Sequence, residues 1–340
     1  DLNWLQRFSE SAEKPTLSAE QALAITSVNQ QSNTFKCFLL EGITGSGKTE
    51  VYLNILKPII QAGRQVLVIV PEIGLTPQTV QRFQARFKVP IYLKHSGLNA
   101  RQQLDTWLHA KQGSAAIIIG TRSAIFSDFN NLGLIVIDEE HDTSFKQQDG
   151  FRYHARDFAI KRALQENIPI MLGSATPSLE TLHNALRGKY QHLHLTQRAG
   201  NAKPPTSSLI NLAGLQLKSG LSPQLIELMG KHLAKNNQVI LFLNRRGYAP
   251  VLMCHECGWL LKCSRCDAFY TYHKSANYLH CHHCTATLPV PKQCNDCGST
   301  QLILTGVGTE QLEETLNTLF PEHPTVRIDR DNTRKKESFN

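Results

Sequence analysis

Between residues 37 and 196 the chain alternates short, continuously apolar runs with longer amphipathic stretches. A strand that helices cover on both faces of a parallel sheet is apolar on both sides, whereas a half-exposed strand alternates. The first description fits seven runs, at 37–42, 65–71, 90–95, 115–121, 132–138, 169–176 and 191–196. Helical candidates such as 99–111 and 154–166 lie between them. The pattern predicts an α/β lobe on a doubly wound parallel sheet.

A shorter α/β pattern follows a polar stretch with two prolines. Ser222 and Pro223 fit the cap and first turn of a helix over 222–235. Strand candidates lie at 238–244, 302–308 and 326–330, with a helix over 309–320. The predicted organisation has six parts. They are an N-terminal extension (1–16), a first lobe (17–196), a linker (197–220), the first part of a second lobe (221–253), a cysteine-rich insertion (254–297) and the rest of a truncated second lobe (298–340).

Composition and charge narrow the class of protein. The 36 Lys and Arg residues outnumber the 28 Asp and Glu residues, for a net charge of +8. This charge favours a polyanionic partner such as a nucleic acid, and the alternative, an ordinary basic protein, fits the charge about equally well. No apolar run is long enough to span a bilayer, and the first thirty residues lack a signal-peptide core. Eight of the nine cysteines form four C-x-x-C pairs. This spacing predicts metal ligation in a reducing cytosol rather than disulfides, and a cytoplasmic location without a membrane partner.

The segment GITGSGKT, residues 42–49, follows a predicted strand and matches the phosphate-binding P-loop. Its glycines let backbone N–H groups turn toward phosphates, Lys48 is expected to reach the β- and γ-phosphates of ATP, and the Thr49 hydroxyl to bind Mg²⁺. The predicted nucleotide-binding residues here are Gly42, Gly45, Ser46, Gly47, Lys48 and Thr49. The alternative is a chance glycine turn. Pro58 falls in the next helix, which is predicted to kink or break there.

A second motif strengthens this prediction. Asp138 and Glu139 end an apolar strand, where P-loop enzymes place a magnesium-binding carboxylate. Asp138 is expected to hold Mg²⁺ through water, and Glu139 to polarise the attacking water. Lys48, Asp138 and Glu139 are therefore the predicted catalytic residues. The bland alternative, a solvated strand end, fits poorly beside a P-loop.

The chain resembles the PriA family of superfamily-two helicases. DEEH at 138–141 and GSAT at 173–176 look like helicase motifs II and III, and further similar segments lie at 71–78, 95–99, 120–124, 173–181, 242–250 and 308–313. The resemblance implies two RecA-like lobes and an ATP-driven 3′-to-5′ motor on single-stranded and forked DNA, acting in replication restart at stalled forks. Its implied partners are single-stranded-DNA-binding protein and other primosome proteins, at the bacterial nucleoid. It also implies that Gln21 hydrogen-bonds the adenine.

A DNA track is predicted just after DEEH, where aromatic and cationic side chains alternate. Aromatic faces stack on unpaired bases while cations hold the backbone. The alternative is that the aromatic side chains pack in the core. The predicted DNA contacts are Phe145, Lys146, Phe151, Arg152 and Tyr153, followed by His154 and Arg156, with Arg122 as a phosphate contact and Arg245 and Arg246 from the second lobe.

The four C-x-x-C pairs predict two four-thiolate zinc sites. Five residues separate the first two pairs and fourteen separate the middle two, and the longer span suits one two-knuckle site. One Zn²⁺ is therefore assigned to Cys263, Cys266, Cys281 and Cys284, and the other to Cys254, Cys257, Cys294 and Cys297; the family resemblance implies the same nesting. Regular knuckles favour zinc over an iron–sulfur cluster. Closed sites predict a structural role.

Two functions are kept open for this chain. The chain begins at Asp1, and the family's Q-x-x-G-R-x-G-R element does not follow Arg330. The first hypothesis is an ATP-hydrolysing DNA helicase core. The second is a fragment that binds nucleotide, DNA and zinc without turnover, because the arginine that stabilises transition-state charge is missing.

Overall fold

A computed structural model describes residues 3–6, 8–10, 15–71, 77–199, 205–212, 214–242, 251–273, 278–281, 283–305 and 309–328. By its internal contacts the chain divides into two compact units, Asp1–Pro205 and Thr206–Asn340.

The first unit is built on a parallel sheet. Its strands are β1 (Cys37–Gly42), β2 (Gln65–Ile69), β3 (Ile91–Lys94), β4 (Ile117–Gly120), β5 (Leu132–Ile137), the hairpin strands β6 (Lys146–Gln147) and β7 (Tyr153–His154), then β8 (Ile170–Ser174) and β9 (Gln191–Leu195). Seven of them pair in the order β3-β4-β2-β5-β8-β1-β9, all parallel. All seven predicted strands of this lobe are confirmed.

Helices cover both faces of this sheet, which explains why most of its strands are apolar on both sides. They are α1 (Asn3–Gln6), α2 (Ala19–Asn29), α3 (Lys48–Gln61), α4 (Pro77–Arg86), α5 (Ala100–Lys111), α6 (Ala155–Gln165) and α7 (Leu179–Leu186). Ser18 and Asn99 close capping boxes at the starts of α2 and α5. One apolar cluster lies on each face, with Phe38 and Leu40 of β1 in one and Leu39 in the other.

The predicted break at Pro58 is wrong, because α3 continues through Pro58 to Gln61. Only three residues follow the proline, and the helix is held by a buried apolar face that includes Ile55, Ile59 and Ile60. This packing outweighs the local cost of the missing N–H.

The second unit contains α8 (Pro223–Leu233), β10 (Val251–Cys254), β11 (Thr271–His273), β12 (Tyr278–His280), β13 (Thr287–Pro289), β14 (Leu302–Thr305) and α9 (Thr309–Leu319). Strand β10 pairs antiparallel with β14, and β11, β12 and β13 form a small antiparallel sheet. Ser222 caps α8 through its hydroxyl, with Pro223 in the first turn, as predicted.

Two predicted strands do not form in this unit's described residues. Residues 238–242 and 326–328 have no strand pairing. Ile240 and Phe242 are 90% and 85% exposed, and Val326 is 81% exposed. An apolar run becomes a strand only where a neighbouring strand offers hydrogen-bond partners and a core accepts its side chains.

Across the described residues, every helix is too short or too polar to cross a membrane.

Candidate nucleotide site, aromatic cluster and zinc centres

The P-loop connects β1 to α3 at the carboxyl edge of the sheet, where open α/β sheets bind ligands. Gly45 and Gly47 have φ values of 81° and 82°, which glycine adopts without strain. A Cβ on Gly47 would also lie 2.3 Å from Gln21 Nε2, so a side chain does not fit there. The glycine pattern is therefore required by the backbone path of this loop.

The predicted catalytic side chains meet beside this loop. Lys48 Nζ donates to Gly42 O at 2.9 Å and lies 3.7 Å from Glu139 Oε1. Tyr52, one turn further along α3, donates its O–H to Asp138 Oδ1 at 2.8 Å. Strand β5 ends one residue before Asp138, so tertiary structure brings Lys48, Asp138 and Glu139 together as the sequence predicts.

The environment of Asp138 opposes its charge. Burial raises the pKa of the Asp138 carboxyl, although the hydrogen bond from Tyr52 partly offsets this. The pKa of Tyr52 is raised well above its usual range by burial and by Asp138, so Tyr52 remains a neutral donor. A buried carboxylate that lines a cleft is suited to binding a cation.

Glu140, the third residue of DEEH, holds the motif in place through buried hydrogen bonds. Its carboxylate is fully buried and accepts from Arg156 Nη1 at 3.0 Å, Ser178 N at 2.7 Å and Thr181 Oγ1 at 2.8 Å. Burial opposes the Arg156 charge, but hydrogen bonds to Glu140 and Asp157 raise the pKa of Arg156 overall. Asp138 and Glu139, the two acidic residues before Glu140, instead line the cleft.

His141 connects DEEH to the GSAT segment. His141 Nδ1 lies 2.7 Å from Ser174 Oγ and 3.7 Å from Glu139 Oε2, and Thr176 N donates to Ser174 Oγ at 3.0 Å. His141 therefore lies between Glu139 and Ser174, the last residue of β8.

A cleft of about 960 Å³ surrounds the P-loop. Asp138, Glu139 and Arg198 are among its lining residues, and Thr49 lines it from the first turn of α3. The buried Ser46 Oγ and Arg198 Nε have no hydrogen-bond partner among the described residues. Unsatisfied polar atoms in a cleft fit a polar ligand such as a nucleotide.

Gln21 lies at this cleft, but its amide already has partners. Nε2 donates to Ser46 O at 2.9 Å, and Oε1 accepts from Ser18 N at 2.9 Å. The amide retains one further N–H and one lone pair for an adenine. Its predicted role therefore remains a prediction, and it also joins α2 to the P-loop.

The segment after DEEH forms the β6–β7 hairpin with an aromatic cluster of the exposed Phe126, Phe151 and Phe158 and the half-buried Tyr153. Phe126 packs edge-to-face on Tyr153 and Phe158, with ring centroids 4.9 and 5.2 Å apart, and Phe151 lies 5.8 Å from Tyr153. Phe151 is 70% exposed. Lys146 and Arg152 are exposed on the hairpin, and Arg122 Nη1 donates to Ser144 O at 3.0 Å.

Two residues of the predicted track do not face solvent. Phe145 is completely buried in the core, so for this residue the prediction of base stacking is wrong and the core alternative holds. It enters the core because it ends the short 3-10 helix Thr143–Phe145 beneath the sheet. Arg156 is buried against Glu140. Arg245, Arg246 and residues 72–76 lie outside the described residues.

The eight pair cysteines form two compact groups. One consists of Cys254, Cys257, Cys294 and Cys297, and the other of Cys263, Cys266, Cys281 and Cys284. Their shortest Sγ–Sγ distances are 3.5–3.6 Å. Sulfurs 2.3 Å from one tetrahedral zinc lie about 3.8 Å apart, whereas disulfide sulfurs lie about 2.05 Å apart. The groups are two four-cysteine zinc-binding sites, nested as predicted.

The two thiols of a knuckle differ in pKa. A hydrogen bond from the Cys257 backbone lowers the pKa of Cys254 to about 6, and the Cys284 backbone likewise lowers the pKa of Cys281, whereas burial and neighbouring thiols raise the pKa of Cys257 and of Cys284. Tyr270 is buried in the apolar cluster beside the inner site.

Sequence reasoning missed several residues of these sites. Tyr52 could have been found from its place one helical turn after Lys48. Arg198, Phe126 and Phe158 had no such signal, because only the strand order and the packing of α6 bring them to the cleft or the hairpin.

Sequence comparisons agree with this geometry. A family model for DEAD/DEAH box helicases matches residues 18–185, and one for the PriA DNA helicase Cys-rich region matches residues 263–289. The replication restart protein PriA of Haemophilus influenzae is 55% identical over 98% of this chain. The PriA proteins of Bacillus subtilis and Synechocystis are 40% and 41% identical over 97% and 95% of it. The chain spans 46%, 42% and 41% of the lengths of these three relatives.

The parallel sheet, the P-loop and the carboxylates at the end of β5 define a helicase-type nucleotide-binding lobe. With the cysteine-rich region and its two four-thiolate sites, the chain belongs to the PriA family of replication restart helicases.

Proposed function

We propose that this chain is the ATP-binding and zinc-binding part of a helicase that moves 3′ to 5′ on DNA during replication restart. The observation that carries the proposal is the meeting of Lys48, Asp138 and Glu139 at one cleft. The domain bounds given above, with a first lobe at 17–196 and an insertion at 254–297, belong to the same proposal.

In this proposal the residues of the cleft have separate roles in binding phosphates, binding Mg²⁺ and activating water. The backbone of Gly42, Gly45, Ser46 and Gly47 holds the phosphates of ATP, and Lys48 exchanges its bond to Gly42 O for them. Thr49 and Asp138 hold Mg²⁺, which neutralises phosphate charge. Glu139 orients the attacking water and accepts its proton.

The hairpin and its aromatic cluster form the proposed contact with single-stranded DNA. The exposed Phe151 and the half-buried Tyr153 supply aromatic faces for stacking, and Lys146, Arg152 and Arg122 supply charge for phosphates. Arg122 also donates to the backbone of Ser144, just before the hairpin, and of Lys146 in β6, so a phosphate bound there is linked to the segment that follows DEEH. This link supports coupling between DNA binding and hydrolysis.

Each zinc site is proposed to hold one Zn²⁺ in a structural role, because four thiolates leave no open position. Family membership supports the further proposals that the whole protein acts in the cytoplasm at the nucleoid, on forked DNA, with single-stranded-DNA-binding protein and primosome proteins.

The test is ATP turnover by the purified chain with and without single-stranded DNA. DNA-stimulated turnover that Lys48→Ala abolishes, with an unchanged melting temperature, is expected. Lys161→Ala, an exposed lysine on α6, is the matched control and should behave as wild type. Undiminished turnover in folded Lys48→Ala contradicts the site, whereas ATP binding without any turnover supports the fragment hypothesis.

The direction of movement has its own test in the intact protein. Displacement of a strand from DNA with a 3′ single-stranded tail on the tracking strand, and not with a 5′ tail, is expected. The reverse preference contradicts the 3′-to-5′ proposal and leaves the nucleotide site unaffected.

A further inference from the structure

Three side chains suited to metal binding meet where strand β1 lies beside the edge strand β9 of the first unit's sheet. His192 Nε2 lies 2.7 Å and His194 Nδ1 lies 3.8 Å from the same atom, Glu41 Oε2. The three ligand atoms all lie within 4.8 Å of one another, and the two imidazole rings are 3.9 Å apart between centroids. We propose that Glu41, His192 and His194 form a third binding site for a divalent transition metal.

The strand geometry explains why these residues converge. His192 and His194 are two apart on β9, so both side chains project from one face, while Leu193 and Leu195 project into the core from the other. Glu41 on β1 lies directly opposite His194 in the parallel register. The backbone therefore fixes the three side chains on one face.

The donor set identifies the class of metal. Two imidazoles and one carboxylate suit zinc, nickel or copper, whereas calcium and magnesium prefer oxygen ligands alone. Atoms 2.0–2.1 Å from one tetrahedral zinc lie about 3.4 Å apart, and the observed 2.7 and 3.8 Å lie on either side of this value. His194 is about half exposed, so water can complete the coordination.

The position of the cluster joins it to the nucleotide-binding lobe. Glu41 directly precedes the P-loop residue Gly42, and its other neighbour in register is Ser174, which contacts His141 of DEEH. Glu20, whose carboxylate accepts from Thr196, adds negative charge near His194. A metal here would clamp β9 to β1 immediately before the P-loop.

Metal titration of the full chain with its cysteine sites filled tests the site. We expect calorimetry to detect one further Zn²⁺ per chain, and Co²⁺ added instead to give visible absorption without the thiolate charge-transfer band of a cysteine site. His194→Ala, at the most exposed ligand, should weaken this binding by about tenfold or more. Glu41→Gln is the second ligand variant, and His183→Ala, an exposed histidine on α7, should bind as wild type.

Two outcomes would overturn the proposal. If the wild-type chain binds no metal beyond its cysteine sites, the cluster is only a hydrogen-bonded group. If the further ion persists unchanged in folded His194→Ala and Glu41→Gln, it binds elsewhere. Filling of the cysteine sites by zinc is a separate measurement, so failure here leaves the proposed helicase function intact.

Discussion

The position of the Asp138 carboxyl suits a bound cation but lowers the stability of the folded chain when no cation is bound. Burial raises the pKa of its carboxyl, so the folded chain holds that proton more tightly than the unfolded chain. Stability due to this group is therefore present below the ordinary aspartate pKa and falls as pH rises through the raised pKa. At neutral pH the bare carboxylate destabilises the lobe until a cation binds it.

Asp138→Asn should therefore raise the melting temperature of the nucleotide-free chain at pH 7.5 while abolishing Mg²⁺-dependent turnover. The amide oxygen can still accept from Tyr52, so packing is retained. Thermal melts across pH should show the gain shrinking as pH falls toward the usual aspartate pKa. Asp105→Asn, at an exposed position, should change little. A melting temperature below wild type at pH 7.5 would contradict this account of Asp138.

At the scale of an element, the β6–β7 hairpin combines a buried, structural part with an exposed part that can bind a ligand. Its root, Phe145, is completely buried and its tip, Phe151, is 70% exposed, although both are phenylalanines in one short segment. The root fixes the hairpin on the sheet, and Arg122 ties its backbone to the preceding 3-10 helix Arg122–Phe126. The aromatic cluster therefore lies at a hairpin that the buried Phe145 anchors in the core.

Phe145→Ala should change the stability of the chain, whereas Phe151→Ala should change its affinity for DNA. Phe145→Ala should lower the free energy of unfolding by about 3–5 kcal/mol, because it leaves a cavity in the core. Phe151→Ala should change that free energy by less than about 0.5 kcal/mol but weaken single-stranded DNA binding, since stacking contributes roughly 1–3 kcal/mol per base.

Urea denaturation and fluorescence anisotropy with a labelled oligonucleotide measure the two effects. Leu179→Ala, an 82% exposed apolar residue on α7, is the control for loss of exposed apolar surface. Unchanged DNA affinity in Phe151→Ala would remove Phe151 from the proposed track.

At the scale of the molecule, each function lies within one compact unit. Among the described residues, those that line the nucleotide cleft end at Ala199, and both cysteine groups lie after Thr206. Within the second unit the inner group is closed by residues 263–284, and the outer group by pairs at both ends of the insertion. Metal loss at either group should therefore be local.

Metal analysis should find two zinc ions per chain when both cysteine groups, but not the third site, are filled. Cys281→Ser should lose the inner ion and retain the outer one, and Cys294→Ser should do the reverse, with ATP binding unchanged in both. Cys37→Ala changes a cysteine buried in the first unit and should keep both ions. Loss of both ions from either single variant would show that the two groups fold as one.

The sequence by itself determined the elements whose signals are local. Continuous apolar runs fixed the seven strands, the glycine spacing at 42–49 fixed the P-loop, and the knuckle spacing at 254–297 fixed the zinc pairing. Each of these depends on neighbours along the chain: side-chain burial on both faces, backbone torsion, and loop lengths that can close a site.

Only the tertiary structure decided which side chains meet across the sheet and which become buried. The order β3-β4-β2-β5-β8-β1-β9 brings Glu41 beside His194 and Ser174, although more than 130 residues separate Glu41 from either. Packing buries Phe145 and leaves Phe151 exposed, and residues 238–242 have no strand partner in the part of the chain that the structure describes. The physical reason is that strand pairing and burial depend on partners distant in sequence, which no local pattern specifies.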